Sequence, residues 1–251
     1  MFKSIISISL FLFLSLINFS YGAETLKGNL FNDKGSVKLE RNGQVIHVQN
    51  GKSEITGSGD IIQTGDESLA HLEFSDGSLI HIQANTTFQI KTLVTEDNKN
   101  HSIFKIILGT ISVFVNKITG KEQDYEVEAP TSVASVRGTQ FQMNVYVDED
   151  YKGKEEDREK VREEDIEKTI TVVSVHEGKV ELSSEDRKRI LNTIGANTSV
   201  FVTPDRELHH MDEYINLIDM RPDEIKGRVR NKIKNYFIQK IPRPDVPGLP
   251  F

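Results

Sequence analysis

Short strand-like runs separated by glycine and aspartate turns are the feature that most constrains the fold of this chain. Three stretches show it most clearly, at residues 59–82, 127–145 and 171–182. In the first, the turn Asp76-Gly77-Ser78 separates runs in which apolar and polar residues alternate. Such alternation indicates strands with one buried face, and turns spaced by about eight to twelve residues are typical of all-β domains. The sequence therefore predicts a mainly β fold of about a dozen short strands.

Two segments make this prediction specific. Asn42-Gly43 predicts a hairpin within Gly35 to Val48, because both central positions of the turn tolerate positive φ. The run from Phe104 to Val115 is rich in isoleucine, valine and phenylalanine, which favours strand over helix. We expect two apolar strands there, hinged at Gly109.

The N-terminus has the pattern of a secretory signal peptide over residues 1–22. Lys3 precedes an apolar run from Ile5 to Phe19, and small residues follow, with cleavage expected after Gly22 or Ala23. A membrane anchor is the alternative, but an apolar run of about 15 residues is shorter than the roughly 20 needed to cross a bilayer. The chain has no cysteine, hence no disulfide. We therefore expect an exported, soluble chain without a transmembrane anchor after cleavage.

A charged insertion is predicted at residues 148–168, which contain eleven acidic and six basic side chains. Such mixed runs have no core to join and are solvated helix or disorder, an alternative that stays open. Reading it as a calcium loop is disfavoured because the run lacks oxygen ligands regularly spaced around a glycine turn.

The C-terminal part changes character, and residues 205–241 are predicted to be helical. Apolar residues recur there near helical spacing: Ile215, Ile218, Ile225, Val229, Ile233 and Phe237. Residues 221–243 carry eight basic and two acidic side chains. The segment either packs its apolar stripe on the β domain, the default expectation, or presents a basic contact surface. The proline-rich tail, 242–251, is expected to be extended.

Composition and motifs argue against several functions. The formal net charge is −7, which disfavours nucleic acid and other polyanions as partners. His71, His81, His209 and His210 are predicted to be structural or solvent-facing, since a closed zinc site needs three or four converging ligands. The chain has no G-x-S-x-G elbow, P-loop or dinucleotide fingerprint. We therefore predict no catalytic, metal or cofactor-binding residues and no enzyme activity.

Two groups of motifs resemble the FecR domain. The first contains Gly59-Asp60, Thr64-Gly65 and Asp76-Gly77-Ser78, and the second contains VASVRGTQF at 133–141 and VHEGKV at 175–180. The resemblance extends over roughly Gly35 to Val202, and we place a FecR-like β domain at residues 30–202. It implies a β-solenoid-like stack of short strands and a place in the bacterial periplasm or at the cell surface, as a periplasmic or secreted protein.

The residues expected to maintain this fold are corner residues: Gly59, Asp60, Thr64, Gly65, Asp76, Gly77, Arg137, Gly138, Thr139 and Gly178. Gly65 and Gly77 are expected to adopt angles that are costly for residues with a Cβ. Asp76 is expected to accept backbone N–H bonds across its own turn. Arg137 is expected to donate to carbonyls or to a carboxylate, an architectural role that we favour over ligand binding. On that view Arg137→Ala lowers the melting temperature.

The resemblance also bears on function. FecR domains are best known from transmembrane anti-sigma regulators that relay iron-siderophore uptake signals, but here only a short signal peptide precedes the domain, so that role is not carried over. The leading hypothesis is a non-enzymatic module that binds an envelope protein or polymer through exposed strand edges and loops. The alternatives are an accessory component of envelope or iron-status signalling with a separate membrane partner, and a hydrolase whose site is assembled from scattered residues. The sequence does not predict the identity of the partner or the oligomeric state.

Overall fold

The structure is a computed structural model that describes residues 26–96, 99–117, 122–147, 168–204 and 206–211. These residues contain seventeen strands and no helix, which confirms the predicted mainly β class. In chain order the strands are β1 (Gly28–Lys34), β2 (Val37–Arg41), β3 (Gln44–Val48), β4 (Ser53–Thr56), β5 (Ile61–Thr64), β6 (Leu69–Phe74), β7 (Leu79–Ile82), β8 (Thr87–Glu96), β9 (Lys99–Phe114), β10 (Glu122–Glu128), β11 (Val133–Val136), β12 (Gln140–Val147), β13 (Thr169–Glu177), β14 (Lys179–Ser183), β15 (Ile190–Gly195), β16 (Thr198–Val202) and β17 (Leu208–His210).

Several predictions fall outside the described residues: the signal peptide at 1–22, the charged insertion except Lys168, and everything after Met211, including the proline-rich tail. The start of the predicted helical segment at 205–241 is described, and it contains β17. These residues form a strand and not a helix because they pair with β16, with Leu208 opposite Val202 and His210 opposite Val200. Within the described ranges no helix has the length and apolar character needed to cross a membrane.

The pairings join all seventeen described strands into one mixed sheet, in which two series of strands meet at β9. We call these series layer 1, with the order β4-β1-β6-β7-β9-β12-β13-β16-β17, and layer 2, with the order β3-β2-β5-β8-β9-β10-β11-β14-β15. Strand β9 belongs to both, because its first part pairs with β8 and its last part with β7 and β12. The chain passes repeatedly between the layers.

The core lies between the two layers. Phe74 of β6, in layer 1, contacts Phe104 of β9 and Tyr125 of β10, in layer 2, with ring centroids 5.5 and 6.4 Å apart. The core residues of both layers form one cluster, because alternate side chains of each strand point inward. Its fully buried members include Leu30, Leu39, Ile62, Leu72, Phe88, Phe104, Tyr125 and Phe141.

The pairings do not confirm the predicted β-solenoid-like stack. Every pair of described strands is antiparallel except β9 with β10, which is parallel. Successive coils of a parallel β-helix would instead pair in parallel. Hairpins and layer crossings therefore build this domain.

The two specific sequence predictions have different outcomes. The hairpin within Gly35 to Val48 is confirmed as β2 and β3, with φ of 52° at Asn42 and 76° at Gly43. The segment around Gly109 is one continuous strand and not two, but its pairing partners change at that glycine, whose φ is 102°. The glycine thus lets a single strand pass from one layer to the other.

Candidate functional site

The corner before β5 is held by an ion pair between the buried Asp60 and the partly exposed Arg41. The Asp60 side chain is 2% exposed and accepts hydrogen bonds from Arg41 Nε at 2.9 Å and Arg41 Nη2 at 2.6 Å. Its carboxylate also accepts the Gly57 N–H at 2.9 Å, and the hydrogen bond to Asp60 raises the pKa of Arg41. The adjacent Gly59, with φ of 91°, donates its N–H to the Ile90 carbonyl. Gly59 and Asp60 therefore stabilise a corner.

The next corner is built from hydroxyl groups. Thr64 Oγ1 accepts the Thr86 N–H at 3.0 Å, and Thr86 Oγ1 accepts the Thr110 N–H at 3.0 Å. Gly65 donates its N–H to the Ser36 carbonyl at 2.9 Å. Its φ is not positive, so the predicted reason for this glycine is wrong. The constraint is contact, because an added Cβ would lie 3.3 Å from Ser36 Cβ.

Asp76 joins its own turn to the core. Its Oδ1 accepts the Ser78 N–H at 2.9 Å, and its Oδ2 accepts the hydroxyl proton of Tyr125 at 2.5 Å. Burial and the negative charge of Asp76 raise the pKa of Tyr125 well above the usual range of tyrosine. Gly77 has φ of 81° and lies against Asn116, whose Nδ2 donates to the Asp76 carbonyl. These bonds give Asp76 a structural role that links its turn to the core.

The motif around residues 137–139 meets Gly178 at a further corner. Thr139 Oγ1 donates to the Lys179 carbonyl at 3.0 Å. A Cβ at Gly178 would lie 2.8 Å from Thr139 Oγ1 and 3.0 Å from the Gly138 carbonyl oxygen, and the φ of Gly178 is 83°. The Arg137 side chain is exposed and makes no hydrogen bond or ion pair with the described part of the chain, although the Arg137 carbonyl accepts the Thr139 hydroxyl at 3.3 Å. The donation that we predicted for Arg137 is therefore not seen there.

The ten motif residues thus fall into separate contact groups at four corners and do not form a common pocket. The partners of these residues could not be identified from the sequence. Arg41 lies 19 residues from Asp60, and Tyr125 lies 49 residues from Asp76. No local pattern connects residues so far apart in the chain.

Histidines form a second cluster, on the outer face of layer 1. His71 Nδ1 lies 2.7 Å from Asp33 Oδ2, and the His71 ring stacks on Phe31 with centroids 4.7 Å apart. The His81 ring is 5.9 Å from that of His71, and burial together with the charge of His71 lowers the pKa of His81. Across the described ranges, no group of three or more histidine, aspartate or glutamate side chains could hold a metal ion.

Strand edges are the remaining candidate for function. Layer 1 ends at β4 and β17, and layer 2 ends at β3 and β15; each of these strands has a single pairing partner in the described part of the chain. Strand β3, Gln44–Val48, contains no acidic residue, lysine, arginine or proline, and Val45 is 54% exposed. The sequence predicted the hairpin but not its place at the end of a layer, because that depends on pairings between distant strands. We take the β3 edge as the candidate binding site.

Together these features define a two-layer β module whose motif residues hold corners and whose layers end in open strands. Residues 60–181 match the family model described as "FecR protein". This chain therefore contains a FecR domain at residues 60–181, as the sequence motifs predicted.

The other comparisons add little to this assignment. No curated protein matches the chain. Two crystal structures from Parabacteroides distasonis ATCC 8503, each described as a "putative anti-sigma factor", share 18% and 19% sequence identity with this chain, both with a TM-score of 0.44. Each match covers 63% of this chain, and the chain spans 62% of the length of each of those proteins.

Proposed function

We propose that this FecR-domain protein is exported and acts in the bacterial periplasm or cell envelope as a non-enzymatic interaction module. The observation that carries the proposal is the open edge of β3, an exposed strand with one pairing partner and no formally charged side chain. Unpaired edge strands are ready to pair with another chain. The signal-peptide pattern at residues 1–22 supports export, and the engagement of Asp60 and Asp76 in structural bonds supports a role without catalysis.

A second candidate function is an accessory role in envelope or iron-status signalling through a separate membrane partner. Membership of the FecR family favours it, because the family is best known from envelope signalling. The two functions differ in one respect: the signalling role requires a specific inner- or outer-membrane protein as the partner. A general interaction module does not.

The experiment combines localisation with site-specific crosslinking in intact cells. A photo-crosslinking amino acid at position 45 on β3, or as a comparison at position 190 on β15, is activated before cell fractionation. We expect a mature chain that begins at residue 23 or 24, recovered with the envelope fraction, and a defined crosslinked product from position 45. Retention of the full chain in the cytosol would exclude the proposal. A single membrane protein in the crosslinked product would favour the signalling role.

A further inference from the structure

The backbone geometry of the β2–β3 hairpin shows which groups of β3 are unpaired. A two-residue turn, Asn42-Gly43, makes Arg41 and Gln44 the closing pair that exchanges hydrogen bonds. Hydrogen-bonded and non-hydrogen-bonded pairs alternate along an antiparallel ladder. Val45 and His47 therefore direct their N–H and C=O groups away from β2. The edge presents two backbone donors and two acceptors to solvent.

The edge at β4 carries protection that β3 lacks. Glu54 is in register with Leu30, a core residue, so the charged side chain lies on the inner face of this edge strand. The outward carbonyl of Ile55 already accepts a hydrogen bond from Arg41 Nη2 at 2.6 Å. Inward-pointing charges and covered backbone groups block the addition of another strand. Strand β4 is therefore closed to a partner although Ile55 is 66% exposed.

The other two edges are also protected. Strand β17 has three residues, which is too short for a stable ladder. Strand β15 pairs with β14 through a register shift between Leu182 and Ser183, and a hydrogen bond of 3.3 Å joins Asn192 to His210 of β17. Irregular pairing and very short edge strands are common devices against strand addition. Among the edges in the described ranges, β3 alone combines regular pairing, five residues and the absence of a formal charge.

The side chains of β3 indicate the kind of partner. Ile46 points inward and packs against the core cluster while remaining partly exposed, so an added strand could cover it with an apolar residue. An edge of five residues offers much less area than the ~1,200–2,000 Å² buried in stable interfaces between folded proteins. That limit disfavours a second folded copy docked only here. An extended segment gains most of its affinity from main-chain hydrogen bonds and fits this edge better.

We propose that an extended segment of a partner protein adds to β3 as a further strand, pairs with the N–H and C=O groups of Val45 and His47, and places an apolar side chain beside Ile46. This inference rests on the proposed function and names the partner class for its site. The partner segment then becomes an additional strand at the β3 end of layer 2.

The test is selection of displayed random heptapeptides on the full mature chain, followed by binding of the synthetic selected peptides. Val45→Pro removes an outward N–H and blocks the edge while leaving the ladder to β2 intact, since proline is tolerated where the N–H faces solvent. Ile55→Pro is the matched control on the protected edge β4. We expect peptides with alternating apolar residues that bind wild type and Ile55→Pro equally and bind Val45→Pro at least about tenfold more weakly. On wild type they should slow hydrogen exchange at the Val45 and His47 amides.

A second variant at position 45 shows whether a loss of binding in Val45→Pro is caused by misfolding. Val45→Lys places a charge on the edge without changing the backbone, and its melting temperature should stay close to that of wild type because Val45 is exposed. Selected peptides that bind both Val45 variants as well as wild type, or a selection that enriches no peptide, would overturn the β3 inference. Crosslinking to an envelope partner from a site other than position 45 would then leave the proposed function standing. Failure of both experiments would remove both proposals.

Discussion

Replacing Gly109 by alanine tests whether β9 must pass between the layers at this glycine. The φ of Gly109 is 102°, and an added Cβ would lie 2.5 Å from Thr86 Cα and would overlap Thr86 Oγ1. The backbone strain is worth about 1–3 kcal/mol, and forcing an extra atom against a packed backbone costs another ~1–3 kcal/mol. We expect Gly109→Ala to lower the free energy of unfolding by about 2–6 kcal/mol, a large part of the ~5–15 kcal/mol typical of folded proteins.

Two other glycines separate the two contributions. Gly43 has φ of 76° but no atom within 4 Å of an added Cβ, so Gly43→Ala measures strain with no overlap and should cost about 1–2 kcal/mol. Gly195 has no such neighbour and no positive φ, so Gly195→Ala should change stability by less than ~1 kcal/mol.

The assay is urea-induced unfolding followed by far-UV circular dichroism, since the chain has no tryptophan. A loss of 3 kcal/mol or so would lower the melting temperature by roughly 10 °C in a domain of this size. If Gly109→Ala were no more destabilising than Gly43→Ala, the close approach to Thr86 would not constrain the layer crossing, and our explanation of β9 would be wrong.

Three further predictions concern the corners and Tyr125. Arg41→Met leaves the buried Asp60 carboxylate with only the Gly57 N–H as a hydrogen-bond donor. We expect it to lower the free energy of unfolding in urea by about 2–3 kcal/mol, a value reduced because Arg41 is partly exposed. The double variant Arg41→Met with Asp60→Asn should recover part of that loss. Because the pKa of Tyr125 is raised in the folded protein, the phenol loses its proton at a lower pH in the unfolded chain than in the folded one. The protonated Tyr125 therefore stabilises the fold fully below about pH 10, and this stabilisation is lost as the pH rises further. Between pH 8 and a pH above about 10, the free energy of unfolding should therefore fall more in wild type than in Tyr125→Phe. Equal decreases in the two proteins would contradict a raised pKa at Tyr125. Arg137→Ala should change the free energy of unfolding by less than ~0.5 kcal/mol, in contrast to the expectation from sequence, because the Arg137 side chain is exposed and has no partner in the described ranges.

Local signals in the sequence predicted much of the secondary structure. The Asn42-Gly43 turn identified β2 and β3, and alternating apolar residues located β6, β7 and β12. These predictions succeeded because turn residues and a period of two act over a few neighbouring residues. Strands with weaker alternation or few apolar residues were not predicted, among them β4 and β15.

The arrangement of the strands could not be predicted in the same way. The resemblance to the FecR domain implies a solenoid-like stack, whereas the chain crosses between two layers that are antiparallel in all but one pairing. The sequence does not predict the candidate edge at β3 for the same reason. Strand β3 ends layer 2 because β5 pairs with β2 and no described strand pairs with the outer side of β3, and the sequence of β3 does not indicate this arrangement.

The corner residues and the open edge have a common physical origin. Each passage between layers exposes backbone groups that the ladders cannot pair, and the side chains of Asp60 and Thr64 satisfy such groups. Asp76 does the same in the turn between β6 and β7 of layer 1. These polar side chains therefore have a structural role in the fold. The edge at β3 is different, because its outward backbone groups have no protein partner among the described residues, whereas the Ile55 carbonyl on β4 is covered by Arg41. Under the proposed function a partner strand pairs most readily with the least protected edge, and in the described part of the chain that edge is β3.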